Sequence, residues 1–229
     1  MKKIKLLYVI ITLLGTLSAC EVDNYPGPNS VLSGRFIDIE TDELVLQDII
    51  RGTMIELREH GFDPVTPQYL KVKTDGTYAN SLMFANTYTV QPVRGNFVAV
   101  EAQDFEVKGE ANLDFRVLPY IRIKESSIVR NGNKIVATFK VQQNVTNNIS
   151  KLGLYVHSDP NVGEPFRLIA VENNINAVVD PNQVFTLELD ISTNSSTLIT
   201  GKHYYFRIGA LIDVGEAKLN YAPIVKITI

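Results

Sequence analysis

The sequence predicts an all-β protein: two tandem antiparallel β-sandwiches behind a lipoprotein signal peptide. Three observations carry this. Apolar residues recur at every second position over short stretches. Gly, Pro, Asn and Asp, the turn formers, part those stretches. Few segments of the 229 residues have helical spacing.

The first sandwich is expected over residues 31–119. Ile55 and Leu57 alternate with Glu56 and Arg58, as in a half-buried strand. Leu70, Val72 and Thr74 alternate with Tyr69, Lys71 and Lys73. Asp75-Gly76 then predicts a hairpin, because Gly accepts a positive φ. Tyr88 and Val90 share a face, as do Leu113, Phe115 and Val117. Residues 42–51 read as a helical turn or a loop crossing.

The second sandwich is expected over residues 120–229. Ile135, Ala137, Phe139 and Val141 line one face of a strand, and Leu152, Leu154 and Val156 another. Phe185, Leu187, Leu189 and Ile191 follow, then Tyr204, Phe206, Ile208 and Ala210, and finally Val225, Ile227 and Ile229.

The start of the chain is of another kind. Lys2, Lys3 and Lys5 precede an uncharged, largely apolar run from Leu6 to Leu17, and Leu17-Ser18-Ala19-Cys20 follows. That is the order of a bacterial lipoprotein signal. The run is well short of the about 20 apolar residues a membrane-spanning helix needs. Cys20 is the only cysteine. The expectation is therefore removal of residues 1–19, a lipid anchor on Cys20 and a tether over residues 20–30. The protein is expected at the outer membrane, exposed at the cell surface. Glu21 and Asp23 fit either surface export or a plain solvated linker.

Removal of residues 1–19 takes away three lysines and no acids, so the net charge of −3 becomes −6. An acidic exported chain is a poor nucleic-acid partner, which would need a basic face. A lone cysteine excludes an internal disulfide. There is no tryptophan, the broadest sugar-stacking ring, but ten tyrosines and ten phenylalanines remain.

Little in the sequence points to catalysis, and no cofactor or metal is expected. His60, His157 and His203 lack the neighbours of a nucleophile-activating base. Asp38, Glu40, Asp42 and Glu43 could pair for glycoside hydrolysis or hold calcium, but they lack the spacing of a calcium loop. Binding through exposed aromatics is the better class. Tyr155 and Tyr205 alternate with inward residues and are the expected ligand contacts. Phe97, Phe166 and Tyr221 are further candidates in or near loops.

The segments Ser33-Gly34-Arg35-Phe36 with Asp38, Thr74-Asp75-Gly76-Thr77-Tyr78 and Thr87-Tyr88-Thr89-Val90 resemble carboxypeptidase-regulatory and transthyretin-like sandwiches. Asn86 stands where those domains usually carry Gly, and Asn tolerates the left-handed conformation. Leu198-Ile199-Thr200-Gly201-Lys202-His203-Tyr204 resembles the tyrosine corner of fibronectin and immunoglobulin-like domains, with Thr200 in place of Pro. With residues 92–97 and 114–123, the whole resembles the Bacteroidetes lipoprotein family called domain of unknown function 3823. That resemblance implies an accessory outer-membrane lipoprotein of a glycan-uptake system. Two functions follow as expectations: a non-catalytic module binding polysaccharide or an uptake-complex protein, or a structural spacer or adhesin-like subunit.

Overall fold

The computed structural model describes residues 26–229. The signal, Cys20, Glu21 and Asp23 lie outside the described residues.

The chain is nearly all strand. In the first half these are β1 (Ser30–Asp38), β2 (Met54–Glu59), β3 (Gln68–Lys71), β4 (Thr77–Met83), β5 (Asn86–Val93), β6 (Gln103–Val107), β7 (Glu110–Asn112) and β8 (Phe115–Val117). One sheet has the order β4-β1-β7, with β8 following β7 along the same edge of β1; the other has the order β3-β2-β5-β6. Alternation holds where it was expected: Ile55, Leu57, Tyr88, Val90, Phe115 and Val117 are buried between the sheets. Phe36 sits at the centre, with Phe97 and Phe115 each stacked at 5.1 Å between ring centroids.

The second half contributes β9 (Ile121–Asn131), β10 (Lys134–Gln143), β11 (Ile149–His157), β12 (Ile169–Ala177), β13 (Phe185–Asp190), β14 (His203–Ile212), β15 (Asn220–Tyr221) and β16 (Val225–Thr228). Its sheets are β13-β10-β9 and β12-β11-β14, with β15 and β16 on the free side of β14. Ile135, Phe139, Leu154, Phe206 and Ile208 fill the core between them. The tyrosine corner is present: the Tyr204 hydroxyl donates to the Thr197 carbonyl at 2.6 Å and accepts the Ile199 amide at 3.0 Å.

Two expectations need correction. The Asp75-Gly76 turn exists, with Gly76 at φ 85°, but it links β3 and β4, which belong to different sheets. It is a corner between layers rather than a hairpin. Asn86 is not among the residues with positive φ. Its side chain instead donates to the His60 carbonyl and Glu59 carboxylate, closing the end of the sheet. Of the two alternatives for residues 42–51, a helical turn or a loop crossing, the structure has the second: residues 39–53 cross from β1 to β2 as a loop.

That loop leans on the second sandwich. Sheet period puts Phe206 and Ile208 in the core, so Arg207 points to the opposite face of β14. There it is 1% exposed. Its guanidinium donates to four carbonyls: Gln47 at 2.9 Å, Val162 at 3.3 Å, Ala222 at 3.2 Å and Thr74 at 3.3 Å. It also lies 4.2 Å from the centre of the Tyr221 ring. Gln47 and Thr74 belong to the first sandwich. Asn96 adds a second link, donating to Leu46 and Leu219 carbonyls while its own carbonyl accepts from Asn220.

Arg207→Met should lower stability by about 1–3 kcal/mol in urea denaturation, because buried carbonyls it serves lose their donor. Arg207→Lys should not restore it, because an ammonium cannot reproduce the planar fork.

Candidate functional site

Tyr155 and Tyr205 do point away from the second core, but not into open solvent. Tyr155 is 0% exposed. Its ring lies across Gly153 and Gly209, where an added Cβ would meet ring atoms at 2.5 Å and 2.9 Å. Its hydroxyl donates to Glu172 at 2.8 Å, and burial, then that carboxylate, push its pKa far up. Val162, Tyr221 and Leu46 complete the cover. Tyr205 is half-buried in the same cluster, with the Lys226 ammonium 5.8 Å from its ring. The expected binding face is thus the contact between the two sandwiches. Phe97 and Tyr221 are buried too, at 3% and 8% exposure, and Phe166 is half-buried against His157.

The acidic run has a structural use. Asp38, at the end of β1, receives Arg122 Nε at 2.5 Å and Nη2 at 2.8 Å. Glu40 takes Arg122 Nη1 at 2.6 Å, and Asp42 takes Arg116. Burial pushes the Asp38 carboxyl up, but Arg122 and the Glu40 amide outweigh it and hold the group below the usual carboxylate range. Beside this cluster is an interdomain cleft of about 450 Å³, with Leu44, Ile123, Lys124 and Pro223 in its walls.

The three histidines are held by neighbours. His157 Nδ1 accepts the Asp159 amide, and His203 meets Thr228. His60 meets Thr89 Oγ1 at 2.9 Å, but that hydroxyl donates to Asp104 at 2.6 Å. The threonine is therefore not aligned to give its proton to the imidazole.

The outer face of the β3-β2-β5-β6 sheet is the open one. Tyr69 on β3 is 53% exposed. Register places it beside Glu56 on β2, and Glu56 beside Gln91 on β5. The next row is Arg58, Thr89 and Asp104. The Tyr69 hydroxyl donates to Glu56 Oε2 at 2.9 Å, while Arg58 Nε donates to Oε1 at 2.6 Å. The Arg58 hydrogen bond pulls the Glu56 carboxyl below its usual range, and Glu56 pushes the Tyr69 phenol up. The result is a fixed aromatic ring beside carboxylate, guanidinium and amide groups at strand spacing, about 4.8 Å. An apolar ring with convergent planar hydrogen-bonding groups suits a sugar, which presents C–H patches and hydroxyls. Sequence reasoning missed Tyr69, although its alternation with Leu70 and Val72 was the signal.

The DUF3823 N-terminal domain matches residues 30–118, and the DUF3823 C-terminal domain, of unknown function, matches residues 121–226. A solved protein of Bacteroides uniformis is 36% identical, with 89% of this chain and 100% of that one covered and a TM-score of 0.84.

The chain belongs to the DUF3823 family.

That Bacteroides uniformis relative is described as a "putative carbohydrate binding protein". A DUF3823 protein of Parabacteroides merdae, 23% identical over 89% of this chain and 100% of its own, has the same fold at a TM-score of 0.75. A search of curated proteins finds no match.

The Asp38–Arg122 pair sets a pH dependence. Asp38 ionises more easily folded than unfolded, so its contribution is complete above its ordinary pKa of 3.8 and is lost as pH falls through the lower folded value. Melting temperature should therefore drop below about pH 4. The drop should be shallower in Asp38→Asn, measured by calorimetry across pH 2–7.

Proposed function

We propose that this DUF3823 protein is a non-catalytic, lipid-anchored module of the outer cell surface that binds polysaccharide for a glycan-uptake system. Tyr69 carries the reading: an exposed ring, braced by Glu56 and Arg58, on an otherwise polar and open sheet face. The description of the Bacteroides uniformis relative supports it. The order of basic start, apolar run and Cys20 supports the anchor. With one tyrosine as platform, affinity is expected to be weak, roughly −4 to −8 kcal/mol.

A second reading, a rigid spacer that holds a protein partner, draws support from the Arg207 and Arg122 contacts between the sandwiches. Such contacts fix spacing and orientation, which a spacer needs.

Screening the mature chain carrying Cys20→Ser against a glycan array, then titrating the best ligand by calorimetry, separates the two. Tyr69→Ala should weaken binding at least tenfold, about 1.4 kcal/mol, with an unchanged melting temperature. Retention of no glycan by the parent chain, together with capture of an outer-membrane protein, would favour the spacer. Release of reducing sugar from a polysaccharide would overturn both.

A further inference from the structure

The first sandwich has two distinct ends. At one, β1 finishes at Asp38 on Arg122, and the turn after β5 reaches Asn220 and Leu219 through Asn96; this end meets the second sandwich. At the other, Ser30 begins β1 opposite Met83, the last residue of β4, and the Asn29 amide donates to the Met83 carbonyl. β2 ends there beside the start of β5, with Glu59 opposite Tyr88 and Asn86 bonded to the His60 carbonyl.

Three large apolar side chains stand at this N-terminal end. Leu82 is 73% exposed, Phe62 64% and Phe84 47%. Leu82 and Phe62 are the two most exposed large apolar side chains among the described residues. Phe62 is two residues beyond His60, and Phe84 two before Asn86, so the contact between those two segments brings them to one end. Leu82 and Phe84 flank Met83, which bonds to Asn29. Isolated apolar residues on a surface need no explanation, but several at one end of a domain do.

The chain leaves this same end toward Cys20. From Pro26 back to Cys20 is six residues, which reach at most about 22 Å. We propose that Phe62, Leu82 and Phe84 form a membrane-contact patch that seats this end of the first sandwich on the lipid surface. The inference rests on the reading of Cys20 as the lipid anchor. Three side chains would bind a bilayer weakly from free solution. A short tether changes that, because it holds the patch near the surface at a high effective concentration, so a weak contact becomes a populated one. Glu110, opposite Val31 on β1, and Asp63, next to Phe62 in sequence, put carboxylates at this end, so the contact is apolar rather than an attraction of basic residues to anionic lipid. Seated this way, the second sandwich points away from the membrane and the Tyr69 face is turned sideways into solvent.

The chain has no tryptophan, so a single introduced one reports its own surroundings. Phe62→Trp and Phe84→Trp are made separately in the lipidated mature chain, with Val129→Trp, exposed on the second sandwich, as reference. Each is placed in phosphatidylcholine vesicles with or without brominated acyl chains. The expected result is a blue-shifted emission and at least twofold quenching by bromine at positions 62 and 84, with none at 129. If mass spectrometry shows acyl chains on Cys20 but the three tryptophans respond alike, the patch is overturned and the anchor stands. If Cys20 carries no acyl chain, the anchor fails and the patch fails with it.

Discussion

A buried guanidinium with no carboxylate in contact among the described residues sets how the two sandwiches sit. Moving a charge out of water is costly unless hydrogen bonds and an opposing field replace the solvent. Arg207 finds both. Four carbonyls, from Gln47, Thr74, Val162 and Ala222, take its protons, and the Tyr221 ring covers it. The Tyr221 hydroxyl in turn donates to Asp48 at 3.1 Å, so a negative charge stands behind the ring. These partners come from separate segments of both sandwiches. Displacing the first sandwich would strip the cation of the Gln47 and Thr74 carbonyls and leave only those of Val162 and Ala222 to hold it. Arg122, bidentate on Asp38, repeats the logic at a second point. The sandwiches therefore act as one body with fixed outer faces.

Alternation made most of the fold legible because it reports which side of a strand is apolar. It does not report what lies over the other side. The strands through Leu154 and Phe206 were readable for that reason, and Tyr155 and Tyr205 were misread for the same one. Gly153 and Gly209 are paired across β11 and β14, and together they leave the shallow bed on which Tyr155 lies flat. The loop over residues 45–53 then covers it. Only a long-range contact supplies that cover, and local periodicity carries no trace of it. The edge strand β12 was illegible from the other direction. It is mostly exposed, so its residues need no alternation.

Tyr204 and the Asp75-Gly76 turn show how far a local motif reaches. The tyrosine corner closes within eight residues, from Thr197 to Tyr204, so the sequence contains its whole geometry. The Asp75-Gly76 turn is equally local, with Asp75 Oδ1 accepting the Thr77 amide at 2.9 Å. Which strands it joins is a matter of sheet assembly, decided by pairing of β3 with β2 and of β4 with β1. Turn chemistry could not state that.

The fixed arrangement also narrows where a ligand can be held on a sheet. Of the four outward sheet faces among the described residues, the one on β11 and β14 is covered by the first sandwich. The face on β9 and β10 is dressed with ion pairs, Lys134 with Glu188 and Lys140 with Glu125. The face on β1 and β4 presents Ser33, Ala79 and the pair of Arg35 with Asp114, and no ring. Only the face on β2, β3 and β5 joins an exposed aromatic to ordered planar polar groups. Glu56 is central to it. Because its carboxylate takes the Tyr69 phenol on one oxygen and the Arg58 guanidinium on the other, the ring is held before any ligand arrives. A preordered ring loses less conformational freedom on binding, which supports the proposed role of Tyr69 as a lone platform in a chain without tryptophan.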